Sequence, residues 1–157
     1  MITCTFEKGN KASLRHMVTH AIVEKDGCLL LEKRAGDIPQ SGKWGLPGGY
    51  LDRDETGEQG VLRELLEETG WKGTVTEVFR INTNPHRPRD DDRQNVAIEF
   101  IVEAIEKVGE PDYETSKVEW IPIDNLLPPE EFAFDHGETI QLYLAYRKKQ
   151  FPLPLVV

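Results

Sequence analysis

GGYLDRDETGEQGVLRELLEETGW, residues 48–71, is the stretch from which the rest of the chain is read. It joins a glycine pair, a helix-start signal and carboxylates at helical spacing. Thr56 followed three residues later by Gln59 is a capping-box pattern, in which threonine hydroxyl and glutamine side chain each bond the other's backbone amide. Gly70 suits the left-handed residue just past a helix C-terminus. The spacing therefore predicts a helix over Gly57–Thr69. At about 100° per residue, Val61, Leu62, Leu65 and Leu66 form a core face, while Glu64, Glu67 and Glu68 gather on another. Like charges at i,i+4 cost only about 0.2–0.5 kcal/mol on an exposed helix, so the glutamates alone also fit a solvated acidic face. Against that stand Gly60, which leaves the acidic sector open, the Gly48-Gly49 turn leading in, and Arg63 on its border.

Hard divalent cations take oxygen ligands, and Mg²⁺ is held by one or two carboxylates together with waters and phosphate oxygens. A glutamate cluster fixed on a helix has that chemistry. The stretch resembles the Nudix box, G-x5-E-x7-R-E-U-x-E-E-x-G-U with U apolar. Gly49, Glu55, Arg63, Glu64, Leu65, Glu67, Glu68, Gly70 and Trp71 fill every specified position. Asp54 departs from the glycine that many members carry before the first box glutamate, which touches only the local turn. Upstream, Gly42, Trp44, Pro47, Gly48 and Gly49 match the G-x-W-x-x-P-G-G run common before the box.

The resemblance implies an α/β fold, an α/β/α sandwich with a mixed sheet and the box as a loop-helix-loop at one end. It implies water attack at phosphorus in a nucleoside diphosphate derivative, assisted by Mg²⁺, with Mn²⁺ as the alternative. Residue by residue, Glu67 and Glu68 are expected as metal ligands, Glu64 as a ligand or general base, and the Gly48 carbonyl as a further ligand. Arg63 is expected to orient the carboxylates, Gly49 to support the turn, and Glu55 to pair with Arg63 or complete the metal shell. Some members add a glutamate from the loop before a late strand; Glu114 matches it ahead of Glu99 and Asp112.

The substrate is less legible. No coenzyme A signature precedes the box. ADP-ribose-type members often carry a proline shortly after it, and Pro85 and Pro88 lie there. ADP-ribose or a related nucleotide sugar is therefore the first expectation. A housecleaning hydrolase of oxidised or non-standard nucleoside triphosphates is the second, and a non-catalytic nucleotide sensor the third. Arg34 is read as a surface arginine or a phosphate contact. Arg87, Arg89 and Arg93 are read as substrate-gripping or as self-neutralised by Asp90, Asp91 and Asp92. Phe134 reads as a core plug and His136 as a surface residue, with placement of both beside the site as the alternative.

The bulk numbers fit this reading. A chain of 157 residues is expected to be one domain, 1–157. With 28 acidic against 19 basic residues, the net charge of -9 argues against non-specific binding to nucleic acid or anionic membrane. A phosphorylated substrate stays compatible with it, because bound divalent ions reverse the local sign. Cys4 and Cys28 form no metal spacing and are read as free thiols. No secretion signal or spanning apolar run is seen, which sets the expectation of a soluble cytoplasmic protein without membrane partners; a homodimer is allowed.

Along the chain, Ile2 to Phe6 reads as an edge strand, and Met17 to Val23 and Cys28 to Leu31 as a hairpin about Asp26-Gly27. Ala35 to Gly42 is a loop that delivers Trp44 and Leu46 to the core. Strands are predicted at Thr74–Ile81, Asn95–Ile105 and Lys117–Ile121, with loops at Asn82–Gln94 and Lys107–Ser116. On the Asn95 strand, Glu99 faces solvent or the site. Leu126–Phe134, interrupted by Pro128 and Pro129, is a connector, and Glu138–Lys149 a second helix.

Overall fold

The computed structural model describes residues 2–88 and 93–157. Its centre is the predicted hairpin. Strands β3, Met17–Lys25, and β4, Cys28–Arg34, pair only at Glu24–Leu29 and Lys25–Cys28 and then diverge. Each therefore organises its own sheet segment. The short strands β5, Trp44–Gly45, and β6, Gly48–Tyr50, flank Pro47, so the chain crosses from β4 to β3 just before the helix. The helix α1 spans Gly57–Thr69 as its caps predict. It is followed by β7, Trp71–Asn82, β8, Val96–Lys107, and β9, Thr115–Pro122. Strand β8 runs parallel to β3 and antiparallel to β7, while β9 lies antiparallel along β4, so the sheet is mixed.

Both faces of the sheet are covered, so its central strands are apolar on both sides. Ala21, Val23, Leu30, Phe100 and Val102 pack against Val61 and Leu65 of α1. Ile22, Leu29, Leu31 and Phe79 point the other way, against Ile140 and Tyr143 of a second helix, α2, His136–Lys148. The result is the expected α/β/α sandwich. Trp44 and Leu46 are core residues, as read. The proline-rich connector forms two short 3-10 turns, Ile123–Asn125 and Pro129–Glu131.

Three sequence readings are corrected. The N-terminal segment is no edge of the main sheet: β1, Ile2–Thr5, pairs with a second strand that the pattern did not reveal, β2, Lys11–Leu14, as a separate ribbon. The core stripe of α1 is narrower than four residues, because Leu66 is exposed while Glu68 is buried. Glu99 faces neither solvent nor the site; it is fully buried on the α2 side, where Arg80 grips it at 2.6 and 2.8 Å and Thr139 donates to it at 3.0 Å. Among the described residues, no helix is long and apolar enough to cross a membrane. A C-terminal strand, β10, Leu155–Val156, closes the sheet edge beside β7.

Candidate active site

The caps of α1 fix where its carboxylates point. Thr56 Oγ1 accepts the Gln59 amide at 3.2 Å and Gln59 Oε1 accepts the Thr56 amide at 2.8 Å. Gly70 closes the helix at φ 73°, with its amide on the Leu66 carbonyl. In front of the helix, β6 is packed tightly at its two glycines. A Cβ on Gly49 would lie 2.4 Å from Glu64 Oε1, and one on Gly48 would lie 2.0 Å from the Thr19 carbonyl oxygen. The glycine pair thus brings backbone directly onto the carboxylates, and the Gly48 amide donates to Glu68 Oε2 at 2.7 Å.

Arg63 joins the box together. Its Nε and Nη2 hold Glu55 at 3.0 and 2.7 Å, and Nη1 holds Glu64 at 2.9 Å and Glu67 at 3.0 Å. Nη2 also donates to the Tyr50 carbonyl at 3.0 Å. Every guanidinium N–H is then engaged, so in this arrangement none is left for a substrate. The Glu55 bonds, with Glu64 and Glu67 behind them, hold Arg63 further above its ordinary range, and Arg63 in turn lowers Glu55. Of the two expectations for Glu55, the structure shows the ion pair.

The acidic sector is only partly solvated: Glu67 is half exposed, while Glu64 and Glu68 are withdrawn from water. Glu68 is 5% exposed, and its pKa is raised well above the carboxylate range by burial and then by the nearby charge of Glu32. Glu64 is raised by burial, with Glu67 and Glu114 adding repulsion. Glu32 is fully buried and pushed up to about 7 by burial, with Arg34 opposing. One of its oxygens takes a 3.3 Å bond from Thr115, and the other, Oε1, has no hydrogen-bond partner among the described residues and lies 3.6 Å from Arg34 Nη1. Buried like charges with an orphaned oxygen are costly unless a cation or proton joins them. The donors are all oxygens, so the set suits a hard divalent ion. Among the described residues no three such groups form a preset ligand cluster, because Arg63 draws Glu64 and Glu67 to itself.

A second loop completes the cavity. Residues 108–114 between β8 and β9 are joined to the end of α1 by backbone bonds: Val108 and Gly109 amides donate to the Gly70 carbonyl at 2.8 and 3.2 Å, and Asp112 to the Glu67 carbonyl at 2.9 Å. The approach is close enough that a Cβ on Gly70 would lie 2.1 Å from the Gly109 carbonyl oxygen. This docking brings Glu114 and Asp112 into the same cavity as Glu64, Glu67 and Glu68. Tyr113 donates to Glu114 Oε1 at 2.9 Å.

The remaining wall is basic and aromatic. Arg34, Arg93 and Phe134 face the cavity, whose volume is about 410 Å³. Arg87 also reaches it but is 4% exposed and locked to Asp135 by two bonds of 2.9 Å. Although burial works to raise it, that guanidinium holds Asp135 below its ordinary range. Arg87 is thus no solvated loop arginine: its partner is Asp135, and Asp90–Asp92 lie outside the described residues. Arg89 lies outside the described residues. His136 is corrected from surface to the alternative position beside the site: it lines the cavity at 3% exposure, and its Nδ1 accepts the Leu46 amide at 3.0 Å. Burial lowers its pKa to about 4, so the ring is neutral. His20, from β3, lies 4.5 Å away, centroid to centroid, and is also buried and lowered.

The sequence pointed neither to His20, which lines the cavity, nor to Glu32 and Asp135, which pair with the lining residues Arg34 and Arg87. Only Glu32 carried a signal, as a carboxylate ending the apolar run Leu29-Leu30-Leu31 on a strand buried on both faces.

The NUDIX domain family matches residues 14–143, and the chain belongs to the Nudix family. It is 32% identical over 126 residues to a Methanocaldococcus jannaschii protein named ADP-ribose pyrophosphatase, covering 80% of this chain and 71% of that one. It is 43% identical over 60 residues to an Escherichia coli protein named CTP pyrophosphohydrolase, covering 38% of this chain and 44% of the relative. Among solved structures, a NUDIX hydrolase from Nitrosomonas europaea superposes with a TM-score of 0.80 at 25% identity, covering 97% of this chain and 84% of that one.

Proposed function

We propose that this chain hydrolyses the pyrophosphate bond of a nucleoside diphosphate derivative, with ADP-ribose or a related nucleotide sugar as substrate and Mg²⁺ as the activating ion. The observation that carries the reading is the pairing, within one cavity, of a floor of buried, mutually repelling carboxylates with a wall of arginine and aromatic side chains. Glu67, Glu68 and the Gly48 carbonyl are the groups that would hold the ion, with Glu64 beside them. The bound ion supplies neutralisation of phosphate charge and lowers the pKa of the attacking water. Glu114, brought in by the docked loop, takes the proton from that water; Glu64, tied to Arg63, is the second candidate. Arg63 acts by fixing the carboxylates, and Arg34 and Arg93 receive the phosphate charge.

The preference for ADP-ribose rests on the name of the Methanocaldococcus jannaschii relative and on Pro88 lining the cavity. A nucleoside triphosphate pyrophosphohydrolase is the second reading, favoured by the name of the Escherichia coli relative. Products separate them: AMP and a sugar phosphate from ADP-ribose, or a nucleoside monophosphate and pyrophosphate from a triphosphate. A substrate panel with Mg²⁺ and with Mn²⁺, read by product identification, decides. Turnover of triphosphates alone overturns the first reading, and turnover of neither class with either ion overturns both.

A further inference from the structure

Phe134 sits in the left-handed region at φ 50°, where a bulky residue is rarely found. Its flanks are fixed on both sides: the Ala133 amide donates to the Trp44 carbonyl at 2.7 Å, and Asp135 is locked by Arg87. The turn therefore places the ring at the wall of the cavity. Two guanidinium groups lie over this one ring, Arg34 with its Cζ at 5.4 Å and Arg93 at 5.6 Å from the centroid. Each guanidinium is also held by a hydrogen bond: Arg34 Nε donates to the Pro39 carbonyl at 3.2 Å, and Arg93 Nη1 to the Tyr50 hydroxyl at 2.7 Å. Two like charges at one ring repel each other; Glu32, 3.6 Å from Arg34 Nη1, and the ring's quadrupole each offset part of that cost. Strain held at such a point is a pointer to function.

We propose that Phe134 is a positioning residue that holds Arg34 and Arg93 as a two-guanidinium clamp for a substrate phosphate. This rests on the reading of the cavity as a phosphoanhydride site. The clamp recognises an anionic phosphate and makes no demand on the base. Phe134 acts through the arginines and touches no reacting atom.

The test uses two probes that share no chemistry, imidodiphosphate, which lacks a base, and adenosine, which lacks phosphate, each titrated calorimetrically at saturating Mg²⁺. Phe134→Leu is expected to weaken imidodiphosphate about tenfold and to leave adenosine unchanged. Phe134→Tyr, which keeps the ring, restores the wild-type value. Phe134→Gly, at ease at φ 50°, gives the leucine result should leucine disturb the turn. With ADP-ribose, KM rises about tenfold while kcat holds, and Mn²⁺ affinity by electron paramagnetic resonance does not move. Unchanged imidodiphosphate binding in the leucine and glycine variants overturns the clamp, and weakened adenosine binding in its place makes the ring a base-stacking surface. A wild-type protein that binds no imidodiphosphate overturns the clamp together with the phosphoanhydride reading.

Discussion

Arg63 holds both carboxylate oxygens of Glu55, Nε to Oε2 at 3.0 Å and Nη2 to Oε1 at 2.7 Å, and in doing so turns its remaining nitrogen toward Glu64 and Glu67. Two box residues with no other evident link thus form the brace of the acidic cluster. Lysine carries the charge without the planar fork. Arg63→Lys is expected to lower kcat by about 10–100-fold with KM little changed, measured by steady-state kinetics at saturating metal. A raised KM with unchanged kcat would instead place Arg63 on the substrate.

Gly49→Ala forces a methyl group to within 2.4 Å of Glu64 Oε1, and the carboxylate must move. Mn²⁺ binding followed by electron paramagnetic resonance should weaken by about tenfold or more, with the thermal midpoint shifting much less than a core substitution would cause. Wild-type affinity in this variant would show that Glu64 is not a ligand.

What the sequence disclosed, and what it hid, divides by the range of the interactions involved. The α1 boundaries were legible because Thr56, Gln59 and Gly70 bond within a turn of one another. The Glu55–Arg63 pair was legible through the fixed box spacing. Glu32 was not, because its burial depends on Gly45 and Thr115, distant in sequence and brought together only when β5 and β9 flank β4. The burial of His136 and the Arg87–Asp135 pair are hidden for the same reason: the partners, Leu46 and Asp135, lie far along the chain. Polar residues that satisfy one another across the fold leave no local pattern.

Glu114 reaches the cavity only because its loop is pinned to Gly70 and Glu67 by backbone bonds. Glu114→Gln keeps those bonds and removes the acceptor charge. If Glu114 takes the proton, kcat falls by about 100-fold or more while binding of imidodiphosphate with Mg²⁺ changes little. Turnover equal to wild type would return it to the role of a loop residue held by Tyr113.

The Glu32 carboxyl gives the metal-free protein a recognisable pH signature. Its folded pKa is raised from 4.5 to about 7, so the folded state binds the proton more tightly than the unfolded state. Its contribution is fully present below pH 4.5 and is lost as pH rises through about 7. His136, lowered from 6.5 to about 4, works in the opposite sense, since its share is present above 6.5 and lost as pH falls through about 4. Glu32→Gln removes the first and keeps the second. In urea titrations with chelator, the variant should gain stability relative to wild type as pH rises from 4.5 to about 7, by about 1.4 kcal/mol per unit at the steepest. A stability difference independent of pH would contradict the burial assigned to this charge.

The central claim, that the buried carboxylates of α1 carry metal-dependent cleavage of a phosphoanhydride bond, is tested most directly at Glu68. Glu68→Gln preserves the side chain's size and the Gly48 amide's acceptor while removing one buried charge. The measurement is turnover of ADP-ribose at saturating Mg²⁺, alongside a thermal melt of the metal-free protein. The account predicts a loss of about 100-fold or more in kcat, with the metal-free variant at least as stable as wild type because a buried repulsion is gone. Unchanged turnover in the folded variant would contradict it.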